Sequence, residues 1–192
     1  MKKIVTVILF LTLLFSLLLP GSIVFAQETD LLVESPTPTP ATAAAKVNYE
    51  LVYPGILPDN PLYFIKAGRD KLVSFLINDS LKRAEFNLLT SDKRIYSAKL
   101  LLDRGKEELA ITTASKSNNY MDGAVASVKQ AKKMGREVDT VLHNLILSIE
   151  KHQEIVSAME KKISRKKLPQ LQAESKRLKD FEKSVLAISP KK

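Results

Sequence analysis

Between Leu81 and Ile163, apolar and small residues recur at alternating intervals of three and four, the spacing that holds a stripe on one face of an α-helix. Leu81, Ala84, Leu88, Ser91, Ile95, Ala98 and Leu102 form the first stripe, and Gly105 closes it. Ala110, Ala114, Ser117, Met121, Ala124, Val128 and Ala131 form the second, whose small side chains predict close helix approach; Gly135 follows. Val138, Leu142, Leu145, Ile149, His152, Val156, Met159 and Ile163 form the third. Pro169 interrupts the pattern, and Leu171, Leu178, Phe181, Val185 and Ile188 mark a last helix. No segment alternates with period two for long enough to argue a strand. Stripes of this kind must be buried against one another, so the chain predicts an all-α fold: an antiparallel bundle of about four long amphipathic helices. A long parallel coiled-coil dimer is the alternative, and the breaks at Gly105, Gly135 and Pro169 argue against it.

A short helix precedes the bundle and is expected to lie across it. Asn60 and Pro61 read as its N-cap and first helical position, since proline lacks only a donor that is orphaned there anyway. It runs to about Leu76 or Ile77, and Asn78-Asp79-Ser80 stops it and caps the next helix.

The N-terminal part has a different composition. Lys2 and Lys3 precede an apolar run, Pro20-Gly21 breaks it, and Val24-Phe25-Ala26 offers a peptidase site, so residues 1–26 read as a secretory signal cleaved after Ala26. Ile4 to Phe25 could also just span a bilayer, which keeps an uncleaved anchor as the alternative. Residues 27–52 read as a disordered Pro/Thr/Ala-rich linker around Ser35-Pro36-Thr37-Pro38-Thr39-Pro40, extended at roughly 3 Å per residue. The helical domain is expected over 53–189. Either fate of the signal places it outside the cytoplasm, secreted or in the cell envelope.

The formal net charge of +9 is unevenly spread over the 192 residues. Residues 27–60 hold one basic and five acidic residues, whereas 161–192 hold 11 basic and three acidic. Lys161, Lys162, Arg165, Lys166, Lys167, Lys176, Arg177, Lys179 and Lys183 therefore concentrate positive charge around the last helical hairpin. This is either a solvated face or a contact for anionic wall polymers or lipid headgroups. Nucleic acid is not expected as a partner, because the export signal removes the chain from it and no aromatic platform accompanies the charge.

Residues with the makings of catalysis are scarce. Without cysteine there is no disulfide scaffold, thiolate zinc site or cysteine nucleophile. His143 and His152 stand about 180° apart on one helix and cannot share a metal. No HExxH, Gly-x-Ser-x-Gly elbow or phosphate-cradling glycine loop occurs. Glu107 and Glu108 sit where they offset a helix dipole. His152 holds a stripe position, and the expectation is a partly buried imidazole bonded across to a neighbouring helix; a pH-sensitive contact is the alternative. The expectation is a non-enzyme with no catalytic residue, cofactor or metal.

The segment Leu57-Pro58-Asp59-Asn60-Pro61-Leu62-Tyr63-Phe64-Ile65-Lys66 resembles the Leu-Pro-Asp-x-Pro-Leu-Tyr-x-x-Lys opening of the domain-of-unknown-function 5667 family of exported bacterial and archaeal helical proteins. Ala84-Glu85-Phe86-Asn87-Leu88 and Asp92 to Lys99 are similar to that family's Ala-Glu-x-x-Leu and Lys-Arg-x-x-Glu-Ala helix, with Ser97 in place of the usual acidic residue. His152-Gln153-Glu154-Ile155-Val156 resembles its later histidine-containing segment. The resemblance covers about Tyr53 to Ile188 and implies an exported helical domain without assigned activity. It also implies that Pro58, Asp59, Pro61, Leu62 and Tyr63 act as a unit; the physical reading of that unit is a lead-in strap with Leu62 and Tyr63 packing under the bundle, and a peptide-binding role is the alternative. The functional expectation is a structural or protein-interaction module of the envelope, a monomer or dimer whose partner is an envelope protein or an anionic polymer. The alternative is electrostatic binding to wall or membrane through the basic hairpin, with membrane contact otherwise only through an uncleaved signal.

Overall fold

The computed structural model describes residues 47–188; the expected signal segment and most of the expected linker lie outside them. Five helices follow in order: α1 Tyr63–Leu76, α2 Ser80–Asp103, α3 Glu107–Lys133, α4 Asp139–Glu160 and α5 Leu168–Leu186. There is no strand among the described residues.

Several helix boundaries have a local cause. Asn60 Oδ1 accepts from Leu62 N (2.8 Å) in the turn that launches α1, with Pro61 between them. Asp79 Oδ1 accepts from the backbone N–H of Leu81 (3.0 Å) and Lys82 (2.9 Å), capping α2. Its other oxygen takes Arg136 (2.8 Å), and these bonds hold the Asp79 carboxyl below the usual range. Gly105 has φ 73° and Gly135 φ 71°, the left-handed conformation that ends a helix. The bonds Lys106 N to Leu101 O (2.9 Å) and Gly105 N to Leu102 O (2.8 Å) complete the first of these caps; Arg136 N to Ala131 O (3.0 Å) and Gly135 N to Lys132 O (3.0 Å) repeat it after α3. Pro169 stands in the first turn of α5, where a missing N–H costs nothing.

The long helices form two antiparallel hairpins, α2–α3 and α4–α5, which stack with α2 along α4 and α3 along α5. Helices α3 and α4 meet only slightly, so the connection between them crosses one end of the bundle. Nearly every stripe residue of these four helices is buried, and Leu81, Phe181 and Ile188 are partly so. Small residues permit the closest approach, between α2 and α3. There Ser91 Oγ donates to Ser117 O (2.9 Å) and Ser117 Oγ to Ser91 O (2.8 Å), both serines fully buried. A methyl group at Gly123 would lie 2.9 Å from Asn87 Nδ2, so a larger residue there would require the Asn87 amide to move.

The core has two apolar halves. One gathers Leu88, Met121, Val128, Leu142, Leu145 and Val185; the other gathers Ile95, Leu101, Ala114, Val156, Met159 and Leu171. At full burial each such large side chain contributes roughly 1.5–3 kcal/mol.

One expectation is corrected. Leu62 is 55% exposed and does not pack under the bundle; the buried residues of the strap are Pro54 and Leu57, the latter 5% exposed. The physical reason is that Asn60 and Pro61 turn the chain outward just before Leu62, and α1 then meets the body by its polar side. The prediction from the caps is that Gly105→Ala lowers stability by about 1–2 kcal/mol, the penalty of a Cβ in the left-handed region, read as a lower urea midpoint with unchanged slope.

Candidate functional site

Between the two apolar halves lies a polar waist built around Asp92 of α2, which is 3% exposed. His152 of α4, fully buried, places Nε2 at 2.8 Å from Asp92 Oδ1. Ser148, one turn earlier on the same helix, donates to that oxygen at 2.5 Å. Tyr49 of the N-terminal strap donates its hydroxyl to Oδ2 at 2.7 Å. A carboxylate thus takes three donors, one from the strap and two from α4. That is what a buried charge requires if it is to stay in an apolar interior. Burial, then the Asp92 charge and this hydrogen bond, push the Tyr49 hydroxyl well above the ordinary tyrosine range.

Serine, histidine and aspartate together invite comparison with a nucleophilic triad, and the geometry answers it. In a triad the serine and the carboxylate occupy opposite ring nitrogens. Here both face Nε2, Ser148 Oγ lying 3.4 Å from it, while Nδ1 meets no polar partner among the described residues. Ser148 gives its proton to Asp92 and is fully buried. The cluster joins helices, and His152 is more deeply buried than the sequence suggests. A second buried tie joins α3 to α5: Asn118 Nδ2 donates to Glu174 O (3.0 Å) and to its Oε2 (2.8 Å), and Arg177 Nη1 adds 2.9 Å to the same oxygen.

The strap is wider than the sequence reading gives it. Tyr49 and Leu51, assigned there to the linker, bond to Asp92 and pack on the core, and Val47 N reaches Glu154 Oε2 (3.2 Å). Tyr53 meets the Tyr96 ring edge-on, centroids 6.3 Å apart. Asp59 of the signature accepts from Arg104 (2.9 Å) and Lys106 (3.0 Å) in the α2–α3 turn, which holds its carboxyl below the usual range. Pro58 sits half-buried beside it. Tyr63 takes a hydrogen bond from Arg94 Nη1. An open cleft of about 910 Å³ lies between the strap and helices α2 and α4, bordered by Tyr49, Tyr96, Lys99, Lys151 and Glu154.

The basic residues fall into two groups. Lys161, Lys162, Arg165, Lys166 and Lys167 gather in the α4–α5 turn, at the end of the bundle where the α2–α3 turn supplies acids. Lys162 pairs with Asp103 (2.7 Å) and Lys167 with Glu108. Glu107 accepts from Ser164 N (2.9 Å) and Oγ (2.6 Å), and these bonds hold its carboxyl low. Lys161, Arg165 and Lys166 are exposed. Farther along α5, Lys176 and Lys179 are exposed, while Arg177 is committed to Glu174 and Asn119. Among the described residues no cluster of three or more His, Asp or Glu side chains is placed to hold a metal ion, and no helix is long and apolar enough to cross a membrane.

Sequence reasoning names His152 but not its partners. Asp92 breaks no stripe, because it falls beside Ser91 and faces α4, and Ser148 looks like any helical serine. The available signal is the pairing of a stripe histidine with a carboxylate at mid-helix elsewhere.

Two outcomes are predicted. Asp92→Ala strands His152, Ser148 and Tyr49 and costs about 3–5 kcal/mol. Replacing Asp92 and His152 together by leucine costs less than that single change, so the two substitutions are strongly non-additive in urea denaturation. For Tyr49 the folded hydroxyl titrates above its unfolded value of 10.0, so its contribution is complete below about pH 10 and is lost as pH rises further. Tyr49→Phe should remove part of the alkaline loss of stability measured between about pH 10 and 12.

No curated protein and no solved structure matches the chain. Residues 55–184 match the family described as Domain of unknown function (DUF5667), a span that begins in the strap and runs nearly to the end of α5, and the chain is a member of that family.

Proposed function

We propose that the chain is an exported, non-enzymatic helical module that serves the cell envelope by presenting surfaces to a partner. The observation that carries this reading is the closed polar waist. Asp92, His152 and Ser148, side chains with much of the chemistry on offer, are spent on one another inside the bundle, and half-buried Tyr49 of the strap closes over them. An enzyme of this size would need convergent polar groups lining an accessible pocket. What faces outward is a strap, a short apolar-faced helix and a basic turn. Export itself rests on the sequence of residues 1–26.

Electrostatic attraction to anionic wall polymer is the second reading, supported by Lys161, Arg165 and Lys166, which have no ion-pair partner among the described residues. Part of the turn's charge is already met by Asp103 and Glu108, so the excess is smaller than the residue count suggests.

Cell fractionation with intact-mass measurement is the test of export. The expected species starts at Gln27 outside the cytoplasm, and an intracellular chain retaining residues 1–26 would end the envelope reading. Pull-down from envelope fractions then separates the two modes. An interaction module retains its protein partner when Lys161, Arg165 and Lys166 are changed to Gln. Polymer binding falls on the order of tenfold with those changes and weakens steeply with salt.

A further inference from the structure

Helix α1 is mounted with its polar side inward. Its half-buried residues are Tyr63, Lys66, Ala67, Asp70 and Ser74, and none of its 14 residues is fully buried. Phe64, Ile65, Leu72, Phe75 and Leu76 are between 59% and 81% exposed. At about 100° per residue these five project within roughly 120° of arc, and Arg69 and Lys71 fall just beyond its two borders. Arg94 bonds and stacks on Tyr63, and Lys66 donates to the carbonyls of Pro54 and Ile56. Those polar contacts fix where α1 sits but leave its large aliphatic and phenylalanine side chains exposed. A helix of about 14 residues is marginal in water, and a contiguous apolar face of this size on a soluble chain marks an interaction surface.

The charge beside that face selects the partner. A groove of about 240 Å³ separates α1 from α2, and Lys66, Arg69, Lys93 and Arg94 line it against a single carboxylate, Asp70. Asp70 is taken by Arg69 at 2.8 Å. Arg94 Nε is buried without a partner among the described residues. Burial holds the Lys66 ammonium below the usual lysine range, and repulsion from its three basic neighbours adds to this. Val73 and Leu89, each 40% exposed, also line the groove and carry the apolar face onto α2, so groove and arc open together.

We propose that α1 is an interfacial helix, laying its apolar arc into the headgroup–acyl boundary of an anionic lipid bilayer while Lys66, Arg69, Lys93 and Arg94 receive lipid phosphates. A second copy fits less well, since a two-fold interface on this face would set basic border against basic border. The bilayer also matches the apolar run of residues 4–25 on the same chain. The inference rests on the envelope reading only for the presence of a lipid surface, and vesicles supply that independently of whether the chain is exported.

The chain has no tryptophan, so Phe75→Trp places a single indole reporter on the apolar face, and Gln172→Trp places one on the basic hairpin. Each full-length variant is mixed with phosphatidylglycerol-containing vesicles or with phosphatidylcholine alone, with and without brominated acyl chains. The expected result is a blue shift and bromine quenching of the α1 reporter on anionic vesicles, with the hairpin reporter unchanged. Adding Arg69→Glu and Lys93→Glu to Phe75→Trp should abolish the quenching even where residues 4–25 keep the chain on the vesicle. An unquenched α1 reporter on vesicle-bound chain overturns the proposal, as does equal quenching in both lipids. A concentration-dependent blue shift without lipid overturns it in favour of a second copy. Quenching of the hairpin reporter while the α1 reporter stays silent overturns it in favour of the basic hairpin.

Discussion

The carboxylate of Asp92 is the constraint on which the rest of the arrangement depends. It is buried where two apolar half-cores meet, and it is tolerable there only because His152, Ser148 and Tyr49 all point at it. His152 and Ser148 fix where α4 lies along α2, since a slide of one turn in either direction would take at least one of the two donors away from Asp92. Tyr49 fixes the strap. The strap then runs to the buried Leu57 and to Asp59, held by Arg104 and Lys106 at the α2–α3 turn. Only after those anchors does the chain turn into α1. The placing of the outer helix therefore follows from an interior hydrogen-bonded pair through a series of named contacts.

That pair is not a strong source of net stability. Desolvating a carboxylate and an imidazole offsets much of their attraction, and apolar residues of like volume often serve as well or better. What the waist supplies is discrimination. Four helices striped with alanine, leucine and isoleucine could slide past one another with little change in buried area, whereas polar layers cannot. The Ser91–Ser117 exchange does the same for α2 against α3, and Asn118–Glu174 for α3 against α5. Each of the three principal neighbour contacts that needs a register thus has its own polar lock, and the α4–α5 hairpin gains Gln153 to Glu182 at 2.9 Å.

The bundle was readable because helix periodicity reports directly on burial when an element has neighbours all along one side. Residues from Ala84 to Met159 on the stripes are inside, and Gly105, Gly135 and Pro169 end helices where their backbone preferences dictate. The same logic misplaced Leu62. Periodicity tells which residues of α1 share a face and says nothing about what covers it; here polar contacts from Tyr63 and Lys66 decide the orientation. Tyr49 was invisible for a different reason. A lone tyrosine in a stretch of mixed composition carries no pattern, and its role exists only because Asp92 lies beneath it.

These two kinds of contact give the molecule two levels of stability. The bundle is held by buried apolar area and locked by polar layers, so it opens only by disrupting the core as a unit. Helix α1 is held by exposed or half-buried polar contacts, whose loss in water is cheap because water replaces them. An element of that sort can rock or fray without disturbing what it is attached to. If a lipid surface covers its apolar face, the free energy of that burial goes into ordering α1 and none of it is needed to repack the bundle. The strap, pinned at Tyr49 and Asp59, keeps the helix at the α2 side throughout, which is where Lys93 and Arg94 wait. A rigid body that carries a loosely held amphipathic helix beside fixed cations divides the work: the bundle sets position and charge, and α1 supplies the adjustable apolar contact.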